Sequence, residues 1–319
     1  MDVQPEHTEL AVFYNTENFY SPDPKSRHRL NPAPSGLKNW NPARFENKLK
    51  KVAHVFELMK EDFGVLPMMA GLSEVQGKLV VEKLMDEPVF GGRFGMVHFE
   101  SMDERGVDVA LIYDRLKIEI ISAEPVSFFF AIDEDKESDR FDTTRDVLQV
   151  KLRYQDMVMH VFVFHLPSKR EKDVNHPKRK LIIKEINERI RKIRTETDEA
   201  VLIMGDFNEN PDEDNVKILL NNNDLAIGIR NPFQALFQQQ QYSTFHQRSG
   251  LLFDQMLLSK DFFGGTAALR FQQAGVFSHY KLKSWDRKFS DRPFRTYAGT
   301  RYLGGYSDHF PVYVHFTKI

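Results

Sequence analysis

The stretch Ala200-Val201-Leu202-Ile203-Met204-Gly205-Asp206-Phe207-Asn208 decides how the chain reads, because an apolar run and a glycine lead straight into an acid and an amide. An unbroken apolar run of this length belongs to a strand buried on both faces, so it predicts a strand over 200–205 that delivers Asp206 and Asn208 at its end. Taken alone, an Asp-x-Asn behind a strand is ordinarily a turn former. The arrangement recurs, however. Asn15 and Glu17 follow the run 10–14, Glu74 follows 68–72, and His165 follows 158–164. Asp254 sits inside 251–258, and Asp308 and His309 directly precede 310–314. In α/β sheets, polar groups at strand ends gather on one rim, which is where sites are built. Such a set of ends, carrying only Asn, Glu, Asp and His, is more than turns alone require.

Working outward, strands are expected over 10–15, 68–75, 94–99, 107–113, 126–132, 147–153, 157–165, 251–259 and 310–316, with the middle of the chain β-rich from Ile118 onward. Phe45, Leu49, Val52, Phe56 and Met59 recur at helical spacing and predict an amphipathic helix over 42–62. Further helices are expected over 76–85, 174–194 and 215–220. Residues 21–41 read as a loop rich in Pro, Asn and basic residues, and the acidic run 133–142 as a solvated hairpin tip. No fixed-period repeat is visible and no linker is long or polar enough to cut the chain. The whole of 1–319 is therefore expected to form one α/β domain.

Composition narrows the chemistry. The chain has 319 residues, 41% hydrophobic and 28% charged, which fits a globular protein and not a disordered or coiled-coil one. Lys+Arg 44 against Asp+Glu 46 leaves a net −2, which excludes a globally basic nucleic-acid coat protein but not a local basic patch. With no cysteine, disulfide frameworks, thiolate zinc, iron–sulfur clusters and thiol nucleophiles are all excluded. Any metal must be held by oxygen or imidazole. No run approaches the ~18–20 apolar residues of a membrane span. The start, Met1-Asp2-Val3-Gln4-Pro5-Glu6, lacks the basic and apolar regions of a secretory signal. A cytoplasmic protein, or an exported one after loss of a leader, would both read this way. Gly71-Leu72-Ser73-Glu74-Val75 resembles a nucleophile elbow until its last position, and there is no Walker A loop, HExxH pair or GxGxxG.

The words at the strand ends carry more than their residue types. Tyr14-Asn15-Thr16-Glu17-Asn18, Gly71-Leu72-Ser73-Glu74-Val75, His165-Leu166-Pro167-Ser168, Gly205-Asp206-Phe207-Asn208, Phe253-Asp254-Gln255-Met256-Leu257-Leu258-Ser259 and Tyr306-Ser307-Asp308-His309-Phe310-Pro311-Val312 occur in that order. Together, over about 10–316, they resemble the endonuclease/exonuclease/phosphatase superfamily, which includes pancreatic-type deoxyribonucleases, apurinic endonucleases, inositol-polyphosphate phosphatases and bacterial sphingomyelinases. The resemblance implies a four-layer αββα sandwich of two packed mixed β-sheets flanked by helices. It also implies a site where the sheets meet, and divalent-metal hydrolysis of phosphate esters.

Phosphate-ester cleavage needs a cation to polarise the phosphoryl group, an aligned water, and help for the leaving oxygen. Magnesium, or manganese in its place, wants hard oxygen ligands and keeps several waters, so one or two carboxylates suffice. Glu74 is the first choice as ligand, with Asn15 beside it and Asp308 as a further or outer-sphere contributor. By resemblance, Asp206 takes or orients the proton of the attacking water and Asn208 holds the water or a phosphate oxygen. His309 binds or protonates phosphoryl oxygens, oriented by Asp254. Which of Asp206 and His309 is the base stays open. His165 matches the second histidine of the deoxyribonuclease and phosphatase branches, against the alternative of a buried strand-end histidine, with Asp108 as its expected partner. Arg145 stands where the family has a phosphate-contacting arginine, the alternative being a hairpin ion pair with Asp146.

Substrate loops complete the reading. Between 281 and 301, Lys281, Lys283, Arg287, Lys288, Arg292, Arg295 and Arg301 face only Asp286 and Asp291, a local net of +5. Trp285, Phe289, Phe294 and Tyr297 are interleaved with them. This reads as an anion-binding lip with stacking surfaces, in which Arg292, Arg295 and Tyr297 bind substrate; a solvated loop is the plainer reading. Lys169 with Arg170, and Arg27 with His28 and Arg29, offer two more basic edges. The long catalytic words of inositol phosphatases are missing. Phe128, Phe129 and Phe130 are the nearest thing to a membrane-docking hairpin, though a buried strand explains them more simply. Three readings follow: a nuclease or phosphodiesterase acting as a monomer on a phosphate-ester substrate that includes nucleic acid, a phosphomonoesterase on the same scaffold, and, well behind, a non-catalytic binding module.

Overall fold

Strands that are apolar along their whole length need cover on both faces, and the chain meets that need by stacking two sheets with helices outside them. The computed structural model describes residues 8–22, 38–103, 105–131, 141–169, 172–220, 228–264 and 267–319. In chain order the main elements are β1 (Thr8–Phe19), α1 (Pro42–Phe63), β2 (Met69–Val75), α2 (Gly77–Met85), β3 (Phe94–His98), β4 (Asp108–Asp114), β5 (Ile118–Val126), β6 (Val147–Tyr154), β7 (Met157–His165), α3 (His176–Glu196), β8 (Ala200–Asp206), α4 (Asp214–Leu220), β9 (Asp254–Leu258), β10 (Leu269–Val276) and β11 (Val312–Lys318). The first sheet runs β10-β11-β1-β2-β4-β3 and the second β9-β8-β7-β6-β5.

Each sheet holds one parallel pair. β1 lies parallel to β2 with α1 as the crossover, and β7 lies parallel to β8 with α3 as the crossover. Both crossovers need a helix of this length because parallel strands cannot be joined by a tight turn. Asn41 starts α1 by accepting a hydrogen bond from Arg44 N at 3.0 Å, Pro42 occupies its first turn, and Gly64 ends it at φ 74°. The helix turns Phe45, Leu49, Val52, Phe56 and Met59 onto the first sheet. Ile182, Ile183, Ile186 and Ile190 of α3 do the same for the second.

Between the sheets lies the central core, where Ala11, Phe13, Met69 and Leu111 meet Val161, Val163, Leu202 and Met204. Gly71 packs closely against the opposite sheet. A Cβ there would stand 2.5 Å from Met204 Sδ and 3.0 Å from Val163 Cγ1, so a side chain would require the packing of the opposite sheet to shift. Helices, sheet, sheet and helices make the four-layer αββα sandwich.

Some elements differ from expectation. β10 was not expected: it is an edge strand paired only with β11, and its Arg270, Gln272 and Gln273 leave no apolar run to read. The expected buried strand over 126–132 is instead the end of β5 and a separate small hairpin pairing 129–131 with 141–143, on which Phe129 is 58% exposed. The early loop's Arg27, His28 and Arg29, the residue Arg170 and most of the acidic run 133–142 lie outside the described residues.

Candidate active site

The carboxyl ends of the two parallel pairs converge at one rim. In the first sheet Asn15 stands opposite Ser73, and in the second His165 stands opposite Asp206, with Asp254 of β9 beyond it. A hydrogen bond from Asn15 Nδ2 to Asp206 Oδ2, at 3.0 Å, ties the two ends together.

Bulges re-aim the side chains here. The β1/β2 register slips between Asn15 and Phe19, and the β2/β4 register slips between Ser73 and Val75. Glu17, Asn18, Glu74 and Asn208 all take left-handed backbone, with φ of 50°, 49°, 60° and 50°. Such conformations cost ~1–3 kcal/mol each and gather at functional sites. They are held by local bonds: Asn15 Oδ1 accepts from Glu17 N at 3.0 Å, Glu74 Oε2 from Asn18 N at 2.7 Å, and Asp206 Oδ1 from Asn208 N at 2.9 Å.

Around Asp206 the titratable groups form a chain. His165 Nε2 lies 3.6 Å from Asp206 Oδ2 and 3.9 Å from Glu74 Oε1. His309 Nε2 lies 4.0 Å from the same Asp206 oxygen, while its Nδ1 sits 2.6 Å from Asp254 Oδ2. Burial and then the neighbouring Asp254 charge push Asp206 up to about 7. His309 is pulled down by burial, but Asp254, with Asp308 and Asp206 behind it, holds it well above the ordinary imidazole value. Burial, followed by the repulsion of Arg145, Arg105 and His309, keeps His165 well below that value. One imidazole is thus charged and the other neutral at pH 7, which suits them to different tasks.

The Ser307-Asp308-His309 word is fastened on both sides. Ser307 Oγ donates to Asn15 O at 2.6 Å and accepts from His309 N at 3.1 Å, while Thr244 Oγ1 donates to Asp308 O at 2.8 Å. Asp308 Oδ2 receives Arg295 at 2.9 Å. Asn208 Nδ2 donates to Leu166 O at 2.9 Å, which braces the loop behind His165.

Several expected contacts form otherwise. Asp108 does not pair His165 among the described residues; it accepts from Ser101 N and Oγ, with His98 Nε2 at 3.9 Å. Arg145 is buried and makes no ion pair with Asp146. Its Nε and Nη2 donate to His165 O and Leu166 O at 3.0 and 3.2 Å, and its Nη1 reaches Asp103 at 3.3 Å. Tyr297 is turned away from the lip: its ring is buried, and its hydroxyl meets Lys38 O and Arg44. Arg292 and Arg295 do line the lip cavity.

Residues that sequence reasoning missed matter as much. Arg105 lies 3.5 Å from Glu74 Oε1; its place just before β4 was visible, but its reach to β2 was not. Glu17 accepts from Thr296 N at 2.5 Å and Tyr297 N at 3.2 Å, and Lys48, wholly buried in α1, donates to Thr296 Oγ1 and Tyr306 O. These two pin the lip from below. Arg179 of α3, also wholly buried, joins Glu209 Oε1 at 2.7 Å to Pro167 O at 3.1 Å, so one side chain braces the loops behind both Asn208 and His165.

The donor chemistry fits a hard divalent cation. Glu74, Asn15, Asp206 and Asp308 offer oxygens, and Asp254 Oδ1 is buried without a hydrogen-bond partner. Ligand atoms of Asp206, Asp254 and His309 also lie within 4.8 Å of one another.

An αββα sandwich whose rim joins carboxylates to a His–Asp pair defines a phosphate-ester hydrolase. The profile of the Endonuclease/Exonuclease/phosphatase family matches residues 10–318, and the chain belongs to that family, whose enzymes are divalent-metal-dependent phosphoesterases. No curated protein sequence matches the chain. Solved structures with a similar fold include TDP2 of D. rerio complexed with a single-strand DNA product, at 15% identity and TM-score 0.57, covering 98% of this chain and 99% of that one. Truncated TDP2 of Caenorhabditis elegans is 14% identical with TM-score 0.58, covering 97% and 98%. A mannosyl-6-phosphatase of Bacteroides thetaiotaomicron is 14% identical with TM-score 0.56, covering 97% and 99%. At such identities the likeness establishes the fold alone.

Proposed function

We propose that the chain is a magnesium-dependent phosphodiesterase acting on nucleic acid, its whole length working as one catalytic unit. The observation that carries the reading is the convergence of Asp206, the His309–Asp254 pair, His165 and Glu74 within hydrogen-bonding or near-contact distance at one rim. Glu74 and Asn15 would hold the ion, with Asp308 as an outer contributor, and Mn²⁺ would serve in its place. The ion supplies Lewis-acid polarisation of the phosphoryl oxygens. The Asp206–Asp254–His309 cluster is a poorer cradle, since Nδ1 of His309 is committed to Asp254 and an imidazolium does not ligate metal.

Asp206 orients the attacking water and accepts its proton, a task suited to a carboxyl raised to about 7. Asn208 braces that loop and holds a phosphate oxygen. The charged His309 donates from Nε2 to a phosphoryl oxygen, with Asp254 fixing its tautomer. His165, neutral, keeps one ring N–H and donates it as a hydrogen bond to the leaving oxygen, whose proton is completed from solvent. Arg145 supports His165 through two backbone carbonyls.

The test is direct. With Mg²⁺ or Mn²⁺, single- and double-stranded DNA, RNA and inositol phosphates are compared for strand cleavage against free phosphate. Strand cleavage is expected, together with its loss in EDTA, in Glu74→Gln and in Asp206→Asn. Release of free phosphate alone would favour a phosphomonoesterase. No turnover with either ion, and no effect of EDTA, would falsify the proposal.

A further inference from the structure

Beside the phosphoryl site the lip encloses a cavity of about 530 Å³, within the ~300–1,000 Å³ typical of small-molecule sites. Phe245, Trp285, Phe289, Arg292, Phe294 and Arg295 line it, and Asp308, next to His309, closes its inner end. The hairpin that carries Phe245 is bridged to His309 through Thr244, so cavity and site share a wall.

Two features of that wall are unspent. Trp285 is 83% exposed, although its ring is stacked on Phe294 with centroids 5.5 Å apart and planes 26° from parallel. A large aromatic face backed by a second ring and open to water is a stacking platform without its guest. Arg292 lies over Phe245 at 5.2 Å and over Phe289 at 4.8 Å, which holds its guanidinium against two rings. Its Nε is buried without a hydrogen-bond partner, and it makes no ion pair among the described residues. Arg295, by contrast, is engaged by Asp308 at 2.9 Å and by Glu17 at 3.8 Å. Asp286, also on the wall, spends its carboxylate on Lys288 N at 2.9 Å.

From this geometry we infer that the cavity is a nucleotide subsite: Trp285 stacks the base and Arg292 holds the phosphate of the unit adjoining the scissile bond of a nucleic-acid strand. One ring face and one preorganised guanidinium match one base and one phosphate. A polyphosphorylated inositol has no ring face to stack; Arg301 also lines the wall and Arg295 is held by Asp308, so Trp285 is the feature that separates the two ligand classes. The inference rests on the phosphodiesterase reading and names the partner of that same site.

Trp40 and Trp285 are the two tryptophans of the chain, so in Trp40→Phe the emission reports Trp285 alone. In EDTA, adenosine 5′-monophosphate and hexathymidylate are expected to quench that emission, and myo-inositol hexakisphosphate to leave it unchanged. By fluorescence anisotropy of labelled hexathymidylate, still in EDTA, Trp285→Ala and Arg292→Ala are each expected to raise Kd about tenfold. Arg292→Lys should fall between, since the charge stays but the planar fork is lost. Kd values within twofold of the parent for both alanine variants, or quenching by the hexakisphosphate as deep as by nucleotide, overturn the inference. Thermal melts check folding, and Trp285→Ala decides alone should Arg292→Ala not fold, because the indole it removes is mostly in water. The binding readout needs no turnover. Binding that Trp285 and Arg292 control, without strand cleavage in metal, leaves the subsite and removes the phosphodiesterase. Cleavage with binding indifferent to both residues does the reverse.

Discussion

Asp254 is wholly buried and lies 2.6 Å from His309 Nδ1, and its charge also bears on Asp206. Asp254→Asn would remove the charge that keeps the imidazole protonated while leaving its volume. The expected outcome is a fall in kcat of about 10²–10⁴-fold with little change in KM. The His309 pKa, followed by NMR in the variant, should drop; an unchanged pKa would show that Asp254 does not govern it.

His165 permits a separate check on pH. Its folded pKa lies well below the ordinary 6.5, so the native state keeps it neutral where the unfolded chain binds a proton. That sign means its contribution is complete above about pH 6.5 and shrinks as pH falls below it. In EDTA, urea unfolding of the wild type should lose up to about 1.4 kcal/mol per pH unit more than His165→Gln near pH 5.5. Parallel slopes would contradict the buried neutral imidazole. At this scale the sequence words were informative about residues that sit at strand ends, since strand direction alone sends them to the rim. Arg105, Lys48 and Arg179 were not legible, nor were the partners of Glu17, because each acts by reaching across to another element that no local pattern names.

Among elements, α3 was the easiest to read and carries the clearest stability prediction. Ile186 is buried among Ile182, Ile183 and Ile190 against the second sheet. Truncation in Ile186→Ala should cost about 2–5 kcal/mol through lost burial and a residual cavity. The urea midpoint should fall with an unchanged m-value, and a shift under about 1 kcal/mol would mean that the site collapses around the gap. Interior strands were legible for the same reason that they are stable: cover on both faces demands unbroken apolar runs. β10 was hidden because an edge strand with one open face carries Gln and Arg. The short hairpin at 244–251 was hidden because three-residue strands leave no period to count.

The whole molecule adds a polar connection that no single layer holds. Glu17 of β1 and Lys48 of α1 are both buried under the lip, and burial moves them toward neutrality, to about 7 and about 8. Lys48→Met takes away one of the two cations facing Glu17 and the buried donor to Thr296 and Tyr306, so it should cost about 3–5 kcal/mol. The double change Glu17→Gln with Lys48→Met should recover most of that loss in a thermal melt. No recovery would mean that the pair does not act as a unit. The order of the words was enough to read the architecture as a whole, because each fixes a strand end. The depth of this pair was not, since charge in a sequence is read as surface until packing says otherwise.

β1 lies between β2 and β11, with Thr8 opposite Thr317. The two strands of that pair are about 300 residues apart in sequence, so closing this edge of the sheet is a long-range event. All five strands of the other sheet are synthesised in the interval. On the ribosome, the half bearing Asp206 and Asp254 can assemble as a unit while Asn15 and Glu74 sit on an incomplete sheet with an open, apolar edge. The rim therefore depends on contacts distant in sequence: β11, which follows His309 closely, must pair with β1 before His309 can join Asn15 and Asp206.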